Sequence, residues 1–189
     1  MANLQKFYKE TAVPEMVKKF GYKNGFQVPR LMKIAVNMGV GKGTEDIKIV
    51  ETAQAELTAI TGQHAVITRA KKAISNFKIK EGSPVGCRVT LRHRGMYEFL
   101  ERLVSVALPR VRDFRGLSPR GFDHAGNYSF GITEQTVFPE IETDRIARSQ
   151  GMDITIVMRS RSKEESLALL TLMGVPFRQR IEKTAQPKA

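Results

Sequence analysis

The stretch Val85-Gly86-Cys87-Arg88-Val89-Thr90-Leu91-Arg92-His93-Arg94, VGCRVTLRHR, alternates along its length. Val85, Cys87, Val89 and Leu91 fall on one side, and Arg88, Thr90, Arg92 and Arg94 on the other, because successive strand side chains point to opposite faces. That pattern predicts a half-buried strand, one side packed on a core and one side facing solvent. Solvation accounts for polar residues on the outer side but not for their being cationic. Side chains two apart on a strand stand about 6.5–7 Å apart, comparable to the phosphate spacing along one nucleic-acid strand. The outer side is therefore predicted to meet phosphates.

Working outward, VPRLMKIAV reads as a second strand, with Met32, Ile34 and Val36 on one face and Lys33, Ala35 and Asn37 on the other. The glycine turn after it, VNMGVGKGT (36–44), sits between a strand and a helix as a phosphate-binding loop would. It fails both nucleotide patterns. Lys42 is followed by Gly43 instead of Ser or Thr, and Gly39-Val40-Gly41 is followed, after two intervening residues, by Thr44 instead of Gly. A sharp turn in which glycines take positive φ is the simpler reading. The following helix is predicted to be capped by Thr44, favoured by Glu45 and Asp46, and ended by Gly62. Its apolar stripe is Ile47, Val50, Ala53 or Gln54, Leu57 and Ile60.

QHAVIT (63–68), YSFGI (128–132) and MDITIVMR (152–159) read as further strands, and MYEFLERLVSVALP (96–109) as an amphipathic helix stopped by Pro109. Residues 3–20 look helical, with Leu4, Phe7 and Tyr8 in one stripe and Pro14 breaking the segment or starting a second helix. In SKEESLALLTLMG, Ser162 and Glu165 have capping-box spacing. Five strands interleaved with helices predict an α+β fold. Its mostly antiparallel sheet carries helices on one face and is open on the other. No linker interrupts the chain, so residues 1–189 are expected to form a single domain, with an extended basic loop over about 69–84 and a frayed tail over about 181–189.

With 31 Lys+Arg against 19 Asp+Glu the net charge is +12, which points to a polyanionic partner. The charge is also segregated: residues 69–120 hold 13 cations and 4 anions, whereas residues 121–158 hold 2 and 6. No apolar run approaches the roughly 20 residues of a spanning helix, so a membrane is not expected, and MANLQKFYKE lacks a signal-peptide core, which predicts a cytosolic protein. Catalysis finds little footing. His64, His93 and His124 lie on separate segments without metal-ligand spacing, Ser83, Ser105 and Ser118 lack a nucleophile elbow, and the lone Cys87 sits on the apolar side. No catalytic residue, cofactor or metal is predicted. A structural RNA-binding protein is the first reading, ahead of a nucleotide-dependent enzyme using GVGKGT and a DNA-binding regulator.

Three clusters could carry binding. The outward side of the two strands is the first. The loop carrying Arg69, Lys71, Lys72, Asn76, Phe77, Lys78 and Lys80 is the second, a basic arm with one aromatic able to stack on a base or ribose. The third is LPRVRDFRGLSPRGF (108–122), where Arg110, Arg112, Arg115 and Arg120 suit phosphate or carboxylate equally well.

Several strings, in this order and spacing, resemble the bacterial large-subunit ribosomal protein L-five family: VPRLMKIAVNMGVGKG, LTAITGQHAVITRAKKAISNFKIKEGSPVGCRVTLR, MYEFLERLVSVALPRVRDFRGL, GNYSFGITEQTVFPEI and GMDITIV. The likeness runs from about residue 3 to 178. It implies a single α+β domain in the cytoplasmic ribosome that binds 5S rRNA in the central protuberance, beside 23S rRNA and neighbouring ribosomal proteins of that region. It further implies a flexible loop reaching peptidyl-site tRNA and an inter-subunit bridge to the small-subunit head protein S-thirteen. Carried onto this sequence, the resemblance makes Lys33, Asn37, Gln63, Arg88, Thr90 and Arg92 the candidates for 5S rRNA, and the loop residues above those for tRNA. Glu140, Glu142 and Asp144 in VFPEIETD are the candidates for the bridge. One departure is LRHRGMYEF, where the family more often has a glycine soon after the Leu-Arg pair; the turn around His93 and Arg94 is where this chain should differ.

Overall fold

The strand that precedes the glycine turn lies at the centre of the molecule. In the computed structural model, which describes residues 3–44, 46–141 and 148–178, the chain runs α1 (Asn3–Phe7), α2 (Val13–Phe20), β1 (Arg30–Gly39), α3 (Ile47–Thr61), β2 (Val66–Arg69) and β3 (Pro84–Leu91). It continues through α4 (His93–Arg102), α5 (Leu108–Arg110), β4 (Tyr128–Ile132), β5 (Met152–Arg159) and α6 (Lys163–Leu172). The strands form one five-stranded sheet in the order β2-β3-β1-β5-β4, antiparallel at every pairing. This is the α+β arrangement the alternation predicted.

One face of the sheet is oil-filled. Ile34, Val36 and Met38 from β1, Cys87, Val89 and Leu91 from β3, and Ile154 and Ile156 from β5 are all buried. Val50, Ala53, Leu57 and Ile60 of α3 and Phe99 and Leu100 of α4 share their core. Each large side chain so buried contributes about 1.5–3 kcal/mol, and together they pin the strands' register, since a one-residue slip would turn the apolar set outward. At Gly86 the β1–β3 pairing is so close that an added Cβ would collide with the Met38 carbonyl oxygen. Among the described residues no helix is long and apolar enough to cross a membrane.

Several local expectations are corrected. Met32 is 40% exposed and Leu31 takes the core position, because a bulge between Leu31 and Lys33 shifts the phase of β1 against β5. The cap of α3 is Asp46, not Thr44: its Oδ1 accepts a hydrogen bond from the Lys48 N–H at 2.9 Å. Ile47 is 47% exposed, so the buried stripe of α3 starts one turn later, at Val50. Glu45 lies outside the described residues. None of Gly39, Gly41 and Gly43 adopts positive φ. Instead Val40 donates to the Val85 carbonyl at 2.9 Å and Gly43 is packed against Val50, so at Gly43 it is small size, not left-handed freedom, that the turn demands, while a Cβ at Gly39 or Gly41 would meet open space. β3 ends at Leu91, and β2 begins only at Val66.

Both long helical runs contain a π-helical turn, at Tyr8–Ala12 and Leu103–Ala107. Each lies just ahead of a proline, Pro14 and Pro109. Proline has no N–H and its ring crowds the carbonyl four residues back, so the wider turn relieves the clash without ending the helix. Ser162 caps α6 as predicted, its Oγ accepting from the Glu165 N–H at 3.3 Å. The Glu165 carboxylate accepts from the Arg161 N–H, one residue before the usual partner, the N–H of the cap residue Ser162.

Candidate nucleic-acid interface

The other face of the sheet is set by register. Across the strands β2, β3, β1, β5 and β4, one row reads Val66, Arg88, Asn37, Asp153 and Gly131. The next reads Thr90, Ala35, Thr155 and Ser129, and Lys33 stands opposite Val157 beyond it. Directly opposed residues have Cβ atoms about 4.5–5.5 Å apart, so each row is a continuous strip. Arg88, Asn37 and Asp153 are exposed and Lys33, Thr90 and Thr155 half-exposed, while the alternate positions on the same strands are buried.

Lys33, Asn37, Arg88 and Thr90 are thus brought onto one surface. Gln63 joins them from the α3–β2 connection, its side-chain amide donating to the Thr90 carbonyl at 3.3 Å. Arg92 is exposed, one residue past β3 on extended backbone, and in line with Lys33 if the Ile34–Leu91 register is continued. Among the described residues, the side chains of Lys33, Asn37, Arg88, Thr90, Arg92 and Asp153 make no hydrogen bond or ion pair with the rest of the chain. The Ser129 and Thr155 hydroxyls pair with each other at 3.0 Å. The cations Lys33, Arg88 and Arg92, the Asn37 amide and the Thr90 hydroxyl thus keep their hydrogen-bonding capacity unspent among the described residues. The outward set of β5, Asp153, Thr155 and Arg159, was not singled out from the sequence, although MDITIVMR alternates with the same period of two.

The basic loop is the tip of the β2–β3 hairpin at the sheet's edge. Ile74 and Ile79 exchange backbone hydrogen bonds at 2.9 and 3.1 Å, closing a small bridge around the turn Ser75–Phe77. The Arg69 guanidinium donates to the Gly82 carbonyl at 3.0 Å and fastens the neck. Lys71, Lys72, Asn76, Lys78 and Lys80 are exposed, and Phe77 is 70% exposed. The aromatic is therefore presented outward and not tucked into the core.

The arginine segment lies at the opposite edge, beside β4. Arg112, Arg115, Phe114, Phe130 and Arg178 line a cleft of about 400 Å³ there, braced where the Leu117 N–H donates to the Pro176 carbonyl at 2.8 Å. Of the acidic candidates, Glu140 forms an ion pair with Arg102, whose guanidinium also donates to the Ile60 carbonyl at 2.9 Å. Its Oε1 is thus engaged within the fold, whereas Oε2 is buried without a hydrogen-bond partner among the described residues. Glu142 and Asp144 lie outside the described residues. Cys87 is fully buried, and burial, with the nearby Glu56 carboxylate a smaller influence, pushes its thiol up to about 11. A thiol so protonated is no nucleophile.

The described residues thus form an α+β sheet with one packed face and one bare, polar face that carries Lys33 and Arg88, and no group of His, Cys, Asp and Glu among them could hold a metal ion. Two family descriptions match this chain in succession: Ribosomal protein L5 over residues 24–80, and the C-terminus of the same ribosomal family over residues 84–177. The large ribosomal subunit protein uL5 of Syntrophus aciditrophicus is 54% identical over 178 residues, 94% of this chain and 99% of that protein. That of Geobacter sulfurreducens is 54% identical over 178 residues with the same coverage. That of Clostridium beijerinckii is 54% identical over 179 residues, 95% of this chain and all of that protein. The chain belongs to the ribosomal protein L5 family. It is a structural protein and not an enzyme, and it works in the ribosome, in the cytoplasm.

Proposed function

We propose that the chain, as a structural constituent of the large ribosomal subunit, binds 5S rRNA with the open face of its sheet and helps to anchor it in the central protuberance, beside 23S rRNA and the neighbouring proteins there. The observation that carries this reading is the unsatisfied strip of Arg88, Asn37 and Thr90 with Lys33 and Gln63 around it. A-form RNA hides its bases in a deep, narrow major groove, so recognition rests on backbone shape, 2′-hydroxyls and unpaired segments. Lysine and arginine take the phosphates, while the amides and the Thr90 hydroxyl match the donor-and-acceptor character of a 2′-OH. The exposed hairpin tip is proposed to contact peptidyl-site tRNA, with Phe77 as a stacking surface. The acidic segment at 140–144, with Glu140, Glu142 and Asp144, is proposed to face the small-subunit head protein S-thirteen, and Glu140 is the one of the three that Arg102 already pairs.

The test is 5S rRNA binding by the Arg88→Ala/Arg92→Ala double variant across a salt series. Loss of two phosphate contacts should lower affinity roughly tenfold or more and flatten the log–log salt slope by about 1.4–1.8. Unchanged affinity would remove the sheet face from the mechanism. A specific thermal stabilisation by ATP or GTP with magnesium would instead revive a nucleotide site at GVGKGT.

A further inference from the structure

We infer that the far end of the exposed row, Asp153 beside Asn37 and Gly131, is a nucleobase subsite that takes the Watson–Crick edge of an unpaired guanine. The inference rests on the RNA-binding reading of the open face and asks why that face carries a carboxylate. Asp153 is exposed, and among the described residues its carboxylate has no hydrogen bond or ion pair. Arg88 shares its row but stands two strands away, about 9.5 Å in sheet spacing, with Asn37 between them. The acid therefore does not neutralise that arginine.

A carboxylate only accepts hydrogen bonds, and so does a phosphate. Placed against an RNA backbone it repels; placed against a donor it binds. RNA offers donors at 2′-hydroxyls, at the amino groups of adenine and cytosine, at uracil N3 and at guanine. Guanine alone presents two adjacent donors, N1–H and N2–H, matching the two oxygens of one carboxylate, with the acceptor O6 next in line. The row supplies the complement in the same order: the Asp153 oxygens for N1–H and N2–H, and the Asn37 amide N–H for O6. Bases become available to such side chains where RNA is unpaired.

The space for a base comes from Gly131. It faces Asp153 on the edge strand β4, and a Cβ there would lie 3.4 Å from Asp153 Oδ1. Any side chain larger than methyl would cover the carboxylate, and glycine leaves it bare. The paired hydroxyls of Ser129 and Thr155 form the adjoining row and offer further polar contact.

The experiment uses the full-length chain with bacterial 5S rRNA and, as a probe without guanine, poly(U). Asp153→Ala is expected to weaken 5S rRNA binding about tenfold or more, the scale of one lost bidentate base contact. It should leave poly(U) binding equal or tighter, because a negative charge has gone. Gly131→Val, which covers the carboxylate without altering charge, should reproduce the loss on 5S rRNA, with the melting temperature of each variant reporting folding. Kethoxal caps N1 and N2 of unpaired guanines. The unsubstituted chain should reject 5S rRNA capped at one particular guanine, and Asp153→Ala should be indifferent to that cap. Equal or tighter 5S rRNA binding by Asp153→Ala overturns the subsite. Weaker binding with every kethoxal interference retained assigns the contact to a 2′-hydroxyl and overturns the guanine. If the unsubstituted chain does not prefer 5S rRNA to poly(U), the RNA reading itself fails, an outcome separate from the other two.

Discussion

His93 holds φ at 51°, in the left-handed region where a side chain is costly and glycine is not. The chain turns there from β3 into α4, a backbone conformation that a glycine would adopt without strain. His93→Gly is expected to raise stability by roughly 0.5–1 kcal/mol in chemical denaturation, and a loss would show that the imidazole makes a contact worth more than the strain. Glu56 is another residue under tension. Burial raises its pKa, and the hydrogen bond from Gln135 lowers it only in part. The folded state therefore holds this proton more tightly than the unfolded chain does. Stability falls as pH climbs from the ordinary glutamate value through the raised one. Glu56→Gln should flatten that fall in thermal melts taken from pH 4 to 8, with stability at neutral pH equal to or above the parent's. A steeper fall would contradict the burial argument.

At the scale of elements, β3 was legible because its inner positions are all apolar and its outer ones polar, a period no helix can satisfy. The bulge in β1 was not, since RLMKIAV offers Leu31 and Met32 as equally apolar neighbours and only pairing with β5 decides which goes in. The π-helical turns were hidden for a similar reason: Pro14 and Pro109 announce a disruption without saying whether the helix ends or widens. The 5S candidates on β1 and β3 came together because two alternating strands pair with their outward sides matched, whereas Asp153 was overlooked in a strand read only for its apolar half. The hairpin tip is fastened by its own backbone bridge and by Arg69, with its lysines directed outward. Deleting residues 71–79 should therefore leave 5S rRNA affinity within about twofold and weaken retention of peptidyl-site tRNA. Loss of 5S rRNA binding in that variant would place the recognition surface on the loop.

For the molecule as a whole, the charge runs read from the sequence become places. The two basic segments sit at opposite edges of the sheet, the hairpin beside β2 and the arginine segment beside β4, with the hydroxyl- and amide-bearing rows between them. The order of strands has a consequence for how such a protein is made. The central strand β1 leaves the translating ribosome early, yet one of its two partners, β5, is separated from it by residues 40–151. At about 5–20 residues per second, that partner emerges on the order of ten seconds later. Throughout that interval the nascent chain presents an apolar strand with an empty side, an invitation to mispair. A polypeptide stopped at residue 150 should accordingly collect in the insoluble fraction and be rescued by supplying residues 151–178 as a separate peptide. A soluble, monomeric fragment would mean that the hairpin and α3 alone shield β1 until synthesis is complete.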